Sequence, residues 1–137
     1  MEQYNGEVVL DGIIECAKAC LAAGIPVGLG TDTGCPYITH YDMWREVRYF
    51  HTFCGVSNAF ALHTATLGNA KIAGIDGITG SLTPGKSADL IVTAGDPLEN
   101  LEALRHVSMV TMRGKLFRDP KVRKMPDCER ELDKVSC

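Results

Sequence analysis

No stretch of this sequence approaches the roughly 20 consecutive apolar residues that a bilayer-spanning helix requires, and no basic segment followed by an apolar run and a cleavage site opens the chain. A cytoplasmic protein with no membrane partner is therefore expected. There is no long basic stripe either, and the net charge is -3, which argues against a dedicated nucleic-acid surface and leaves small molecules or proteins as partners. Six cysteines are present, at Cys16, Cys20, Cys35, Cys54, Cys128 and Cys137, but none forms a CxxC pair. Cys16 and Cys20 fall four apart on a predicted helix, so idle thiols in a reducing compartment are expected rather than a zinc knot or a disulfide framework. The four histidines, His40, His51, His63 and His106, form neither HxH nor HExxH. Gly28, Gly30 and Gly34 give G-x-G-x-x-x-G, which misses the dinucleotide spacing, and Pro36 interrupts the helix that would receive a pyrophosphate.

What is present is an ordinary globular composition, 45% hydrophobic and 23% charged over 137 residues, enough for one compact domain with a core. Val9, Leu10, Ile13, Ile14, Ala17 and Leu21 recur at helical spacing, predicting an amphipathic helix over 8–23 that Gly24 caps and Pro26 prevents from continuing. Ile25 to Leu29 is short, apolar and free of charge, as is a strand covered on both faces between helices. It leads through Gly30 and Thr31 to Asp32, then into a Gly34-Cys35-Pro36 loop. A carboxylate at the carboxyl end of a buried strand is where barrel enzymes place catalytic groups. The residues alone equally fit a turn-forming aspartate that bonds its own backbone ahead of Gly34.

Thr39, with Asp42 at the third position, predicts a capped helix bearing the stripe Met43, Val47, Phe50 and Cys54, extended sideways by Trp44 and His51. A second helix is predicted from Ser57 to about Leu67, and a short helical turn from Asn69 to Ala73 stopped by Gly74. From about Ile78 the texture changes to short strands. Pro84-Gly85 fits a type II turn, Ala88 to Thr93 reads as a strand broken by Asp96-Pro97, and Leu98 to Leu104 as a short helix. Val107 to Met112 and Leu116 to Phe117 flank Arg113-Gly114-Lys115 as a hairpin. Ten of the nineteen residues from Asp119 to Cys137 are charged, predicting a mobile tail or a solvated helix.

Two runs carry a family resemblance. Ala23-Gly24-Ile25-Pro26-Val27-Gly28-Leu29-Gly30-Thr31-Asp32 resembles the last barrel strand and catalytic aspartate of the amidohydrolase superfamily, metal-dependent hydrolases built on a (β/α)8 barrel with a small accessory β-sandwich. Gly80 to Val92 resembles the return of the chain into that sandwich, and Ala65-Thr66-Leu67-Gly68-Asn69-Ala70-Lys71 is similar to the helix leading out of the barrel. The details are most similar to imidazolonepropionase-like and prolidase-like members. The resemblance implies an α/β fold in which residues 1–76 are the C-terminal part of the barrel, with one strand near 25–30 among helices. It implies accessory β-sandwich strands over 77–118 and a charged tail over 119–137.

It also implies hydrolysis of an amide, cyclic amide or peptide-like substrate by metal-bound hydroxide, the metal being zinc or another divalent ion. Asp32 would then be both a metal ligand and the carboxylate that takes the proton during attack and passes it to the leaving nitrogen. His40, eight residues on at a loop-to-helix position, is a candidate substrate-binding residue; a water-exposed histidine at a helix start is the alternative. Lys86 and Asp89 read as turn and sheet-packing residues. The family's HxH pair, its bridging lysine or glutamate and its two later histidines have no counterpart here, and one carboxylate does not make a zinc site of three or four ligands. A barrel takes about 250 residues, so the chain is expected to correspond to the C-terminal third of such an enzyme, binding no metal tightly alone. Its unpaired strand edges would be met by another copy or completed by an N-terminal partner segment. A noncatalytic module that self-associates through those edges is the competing expectation.

Overall fold

The computed structural model of the protein describes residues 6–135. Helix α1 spans Gly6–Ala22. It ends as its sequence demands: Gly24 takes φ 70°, its N–H donates to Leu21 O, and Ile25 N–H reaches back to Cys20 O at 2.9 Å. This is the double bond of a glycine-terminated helix. No residue of α1 is buried; Val8 and Ile13 are 68% and 62% exposed, so its apolar stripe has no complete partner surface among the described residues.

Residues 25–31 run without helix or turn and belong to no sheet, so the barrel strand expected at 25–30 is not a hydrogen-bonded strand here. The expectation of cover on both faces also needs correction. Val27 and Leu29 pack against the core, while Ile25 is 53% exposed. The physical reason is that a strand becomes one by pairing with neighbours, and no neighbouring strand lies alongside among the described residues.

Helix α2 (Met43–Cys54) carries the core, with Trp44, Val47 and Phe50 buried. The expected cap is displaced: Asp42, not Thr39, is the residue preceding the helix. Thr39 instead donates its hydroxyl to Asp42 Oδ2 at 2.6 Å. Helix α3 (Asn58–His63) starts where expected, with Ser57 Oγ accepting from Phe60 N–H. The chain then passes through a π turn, Thr64–Gly68, into α4, Asn69–Ile72, so the two expected helical pieces form one continuous run. Gly74 (φ 69°) terminates it, with Ile75 N–H on Ala70 O. Val47, Phe50, Ala61 and Leu101 form the buried cluster, with Leu21, Val27 and Leu29 packed on it.

The second unit is one antiparallel sheet of β1 (Leu90–Thr93), β2 (Val107–Met112) and β3 (Lys115–Arg118), in the order β1-β2-β3. Leu90 pairs with Thr111 and Met112 with Lys115. The predicted hairpin is present, with Arg113 at φ 50° and Gly114 at φ 79°, the two positive values of a type I′ turn. Asp89 fixes that turn: its Oδ1 accepts from Arg113 N–H at 2.6 Å and its Oδ2 from the Thr79 hydroxyl. The Arg113 N–H bond holds its carboxyl below the usual range. Pro84-Gly85 turns as expected, with Gly85 at φ 91° and Lys86 N–H on Thr83 O. The strand expected near Ile78 to Leu82 is irregular, and the expected helix at 98–104 is a 3₁₀ turn, Leu101–Arg105, capped by Asn100. A second sheet that would make a sandwich is not present among the described residues.

The charged C-terminal stretch forms helix α5, Pro126–Leu132, and it is docked. Arg45, itself buried, donates to Asp133 at 2.7 Å and lies 3.9 Å from Glu129, while Arg105 lies 3.2 Å from Asp133. Both guanidinium groups face the Trp44 ring, at 4.5 and 5.2 Å. Tyr41 Oη accepts from Met125 N–H. Residues 136 and 137, part of the expected tail, lie outside the described residues.

Candidate active site at the end of an extended segment

Asp32 stands exposed at the open end of the 25–32 segment with φ 52°. That left-handed value is uncommon for a residue other than glycine, and aspartate tolerates it better than most. Its Oδ2 receives a long contact from the Cys35 thiol, 3.8 Å, and the neighbouring Thr31 and Thr33 hydroxyls are bonded to each other at 2.7 Å. No backbone N–H of the turn bonds the Asp32 carboxylate among the described residues.

The segment is gripped just before Asp32 from α4. Asn69, at the start of α4, accepts from Leu29 N–H through Oδ1 at 2.9 Å and donates through Nδ2 to Leu29 O at 2.8 Å. The N–H and C=O of one residue in an extended chain point to the same edge, so the Asn69 amide stands where a neighbouring strand's peptide group would stand. Gly28 permits the approach: a Cβ there would sit 3.1 Å from Asn69 Oδ1 and 3.2 Å from Ile72 Cδ1. On the next peptide group, the Gly30 N–H faces the Glu46 carboxylate of α2. Burial pushes the Glu46 carboxyl above the ordinary range, and the Gly30 N–H draws it part of the way back. Glu46 shares a small cleft of about 140 Å³ with Thr31, Tyr37, Asp42 and Leu132.

Of the expected site residues, Asp32 is exposed and follows a segment that is not a paired strand. His40 is exposed in the turn before α2, edge-on to Tyr41 at 5.2 Å, and no hydrogen bond joins it to Asp32 among the described residues. Lys86 bonds Ser81 Oγ at 2.7 Å and, like Asp89, serves the turn. Cys16, Cys20, Cys35, Cys54 and Cys128 are free thiols. Sequence reasoning passed over Asn69 and Glu46. Asn69 carried a signal, a polar residue of modest helix propensity among alanines; Glu46, one charge among several on α2, carried none.

The donors present do not complete a metal site. Among the described residues no group of three or more His, Cys, Asp or Glu side chains converges, and Asp32 has only the Cys35 thiol near its carboxylate. A zinc site needs three or four protein ligands, so these residues alone do not fit one.

Residues 6–117 match the model of the amidohydrolase family. The crystal structure of a "putative prolidase" from Bifidobacterium longum superposes with a TM-score of 0.85 at 40% identity, covering 88% of this chain and 30% of that one. The N-acetylgalactosamine-6-phosphate deacetylase of Escherichia coli O157:H7 is 36% identical over 119 residues, 76% of this chain and 29% of its own. An adenosine deaminase from Xanthomonas campestris, solved with bound zinc, aligns with a TM-score of 0.65 at 25% identity over 87% of this chain and 33% of its own. The chain thus spans about a third or less of each of these proteins. It belongs to the amidohydrolase family.

Proposed function

We propose that this chain is the part of an amidohydrolase that carries the proton-handling carboxylate, Asp32, and that the complete enzyme hydrolyses a C–N bond of an amide, cyclic amide or peptide-like small molecule. The observation that carries the reading is the placement of Asp32: exposed, at the end of a segment whose Leu29 backbone is held on both polar groups by the Asn69 side chain. In this role the carboxylate accepts a proton from the attacking water and delivers it to the departing nitrogen, so that water and amide become acid and amine. Since the described residues alone do not fit a metal, we place the divalent ion, zinc by analogy with the zinc-bound relative, in the complete barrel with Asp32 as one ligand and the others supplied from outside this segment. His40 is a candidate substrate contact from the loop that follows Asp32. Cytoplasmic residence is consistent with the free thiols. The prolidase relative, with the highest of the identities given above, makes Xaa-Pro dipeptides the first substrates to try.

The test is to supply the remaining barrel strands, in one chain or as a complementing segment, with zinc, and to follow C–N hydrolysis of Ala-Pro, N-acetylgalactosamine 6-phosphate and adenosine. Asp32→Asn is expected to lower kcat by about 10²–10⁴-fold; full retention of activity would remove Asp32 from the chemistry.

A second reading, a noncatalytic module that self-associates, is favoured by one observation, the open apolar face of α1 with Ile25 beside it. On the first reading the same face is covered by the rest of the barrel. Sedimentation of the chain with and without the complementing segment separates them. A 1:1 complex that replaces any self-association supports the first reading, and a stable homodimer that refuses the segment supports the second.

A further inference from the structure

We infer that Asn69 is a positioning residue for Asp32, its side-chain amide acting as a one-residue surrogate strand that fixes the path of the segment on which the carboxylate stands. The inference rests on the reading of Asp32 given above and adds the residue that sets its place.

The case is geometric. Asn69 lies 40 residues from Leu29 along the chain, yet its amide meets both polar groups of the Leu29 peptide backbone at 2.9 and 2.8 Å. Only a side-chain amide offers a donor and an acceptor in the plane and spacing of a peptide group; a carboxylate offers acceptors alone. Both bonds are partly buried, where loss of a partner leaves backbone groups unsatisfied and weakens the hold on the segment. The approach is built on both sides. Gly28 leaves room that a Cβ would constrict to 3.1 Å, and the π turn Thr64–Gly68 ends immediately before Asn69. Such turns offset the helical face that follows them.

The segment has no paired strand among the described residues. Its course from Leu29 to Asp32 therefore depends on side chains, and Asn69 contributes two of those bonds only three residues before the carboxylate. A shift of about 1 Å in a reacting group can cost 10²-fold in rate, so a clamp at this distance bears on catalysis without touching substrate.

The test has two arms. In the 137-residue chain, amide hydrogen exchange of Leu29 is compared between the native protein and Asn69→Ala. Exchange at Leu29 is expected to accelerate by about tenfold or more while amides of Val47 to Phe50 keep their protection. Asn69→Leu, which keeps bulk beside Gly28 and removes both bonds, replaces the alanine variant if that fails to fold. In the enzyme completed with its remaining barrel strands, Asn69→Ala is expected to lower kcat for Ala-Pro, or for whichever of the three substrates is turned over, by about 10–100-fold with KM nearly unchanged. Unchanged exchange at Leu29 overturns the clamp. Faster exchange with unchanged kcat, in an enzyme that Asp32→Asn inactivates, overturns the positioning role and leaves the reading of Asp32 standing. Full activity in Asp32→Asn, or no turnover by the native enzyme, overturns that reading and this inference with it.

Discussion

Asp32 and its surroundings separate what a sequence can say about a residue from what only packing reveals. The carboxylate was legible because three signals coincide: a charge-free apolar run, a glycine-rich exit and a loop. Its clamp was not, because a contact between Leu29 and Asn69 spans 40 residues and has no period to detect. Gly28 gives this a stability consequence. In Gly28→Ala the new Cβ meets Asn69 Oδ1 at 3.1 Å and Ile72 Cδ1 at 3.2 Å, so a loss of about 1–3 kcal/mol is expected in urea denaturation. Gly80→Ala is expected to be worse. Its φ of +87° disfavours any side chain, and its Cβ would lie 2.5 Å from Ala70 Cβ and 3.2 Å from Leu67 Cα, where neither a methyl nor a backbone atom of a helix can swing away.

Among the elements, helices with a stripe and a cap were readable: α1, α2, the α3 to α4 run and the hairpin at Arg113-Gly114 stand close to where periodicity and turn chemistry put them. The strand at 25–30 was read from its composition but needs neighbours to exist as a strand, and the C-terminal stretch, read as a mobile tail or a solvated helix because its charges outnumber its apolar anchors, is a helix with no buried residue held by ion pairs. Those charges are what dock it. Arg45 and Arg105 receive Asp133 and Glu129 around the Trp44 ring. Arg45→Ala would remove the 2.7 Å bond to Asp133 and the charge facing Glu129, while Asp42 keeps the Thr39 hydroxyl and the Trp44 indole N–H, and a destabilisation of about 1–3 kcal/mol is expected from thermal or urea unfolding.

The docked helix also gives a pH dependence. Hydrogen bonding from Arg45 holds the Asp133 carboxyl below the usual carboxylate range in the folded protein. A depressed folded value stabilises docking above the unfolded pKa, and the contribution is lost as pH falls through the folded value. Glu46 has the opposite sign: burial raises it, so its contribution is present below the unfolded pKa and lost as pH rises through the folded one. Emission from Trp44, the single tryptophan, is expected to report undocking of α5 at acid pH, with the transition weakened or absent in Asp133→Asn.

At the scale of the whole molecule, the chain carries a small core and an open apolar face. Val47, Phe50, Ala61 and Leu101 form the buried cluster, while α1 contributes no buried residue. The proposed place in a barrel enzyme predicts such a face, since helices of a barrel pack on a closed ring of strands; this chain spans 30% of the prolidase relative. On the same proposal the remaining metal ligands come from outside the described residues, among which no group of three or more candidate ligands converges. The central claim, that Asp32 is the proton-handling carboxylate of a C–N hydrolase, is met most directly by reconstitution. The chain is combined with its remaining barrel strands and zinc, and hydrolysis is followed with Asp32 and with Asp32→Asn. Turnover that falls by about 10²–10⁴-fold in the variant is the expected result; equal turnover in the two, or none in either, would contradict it.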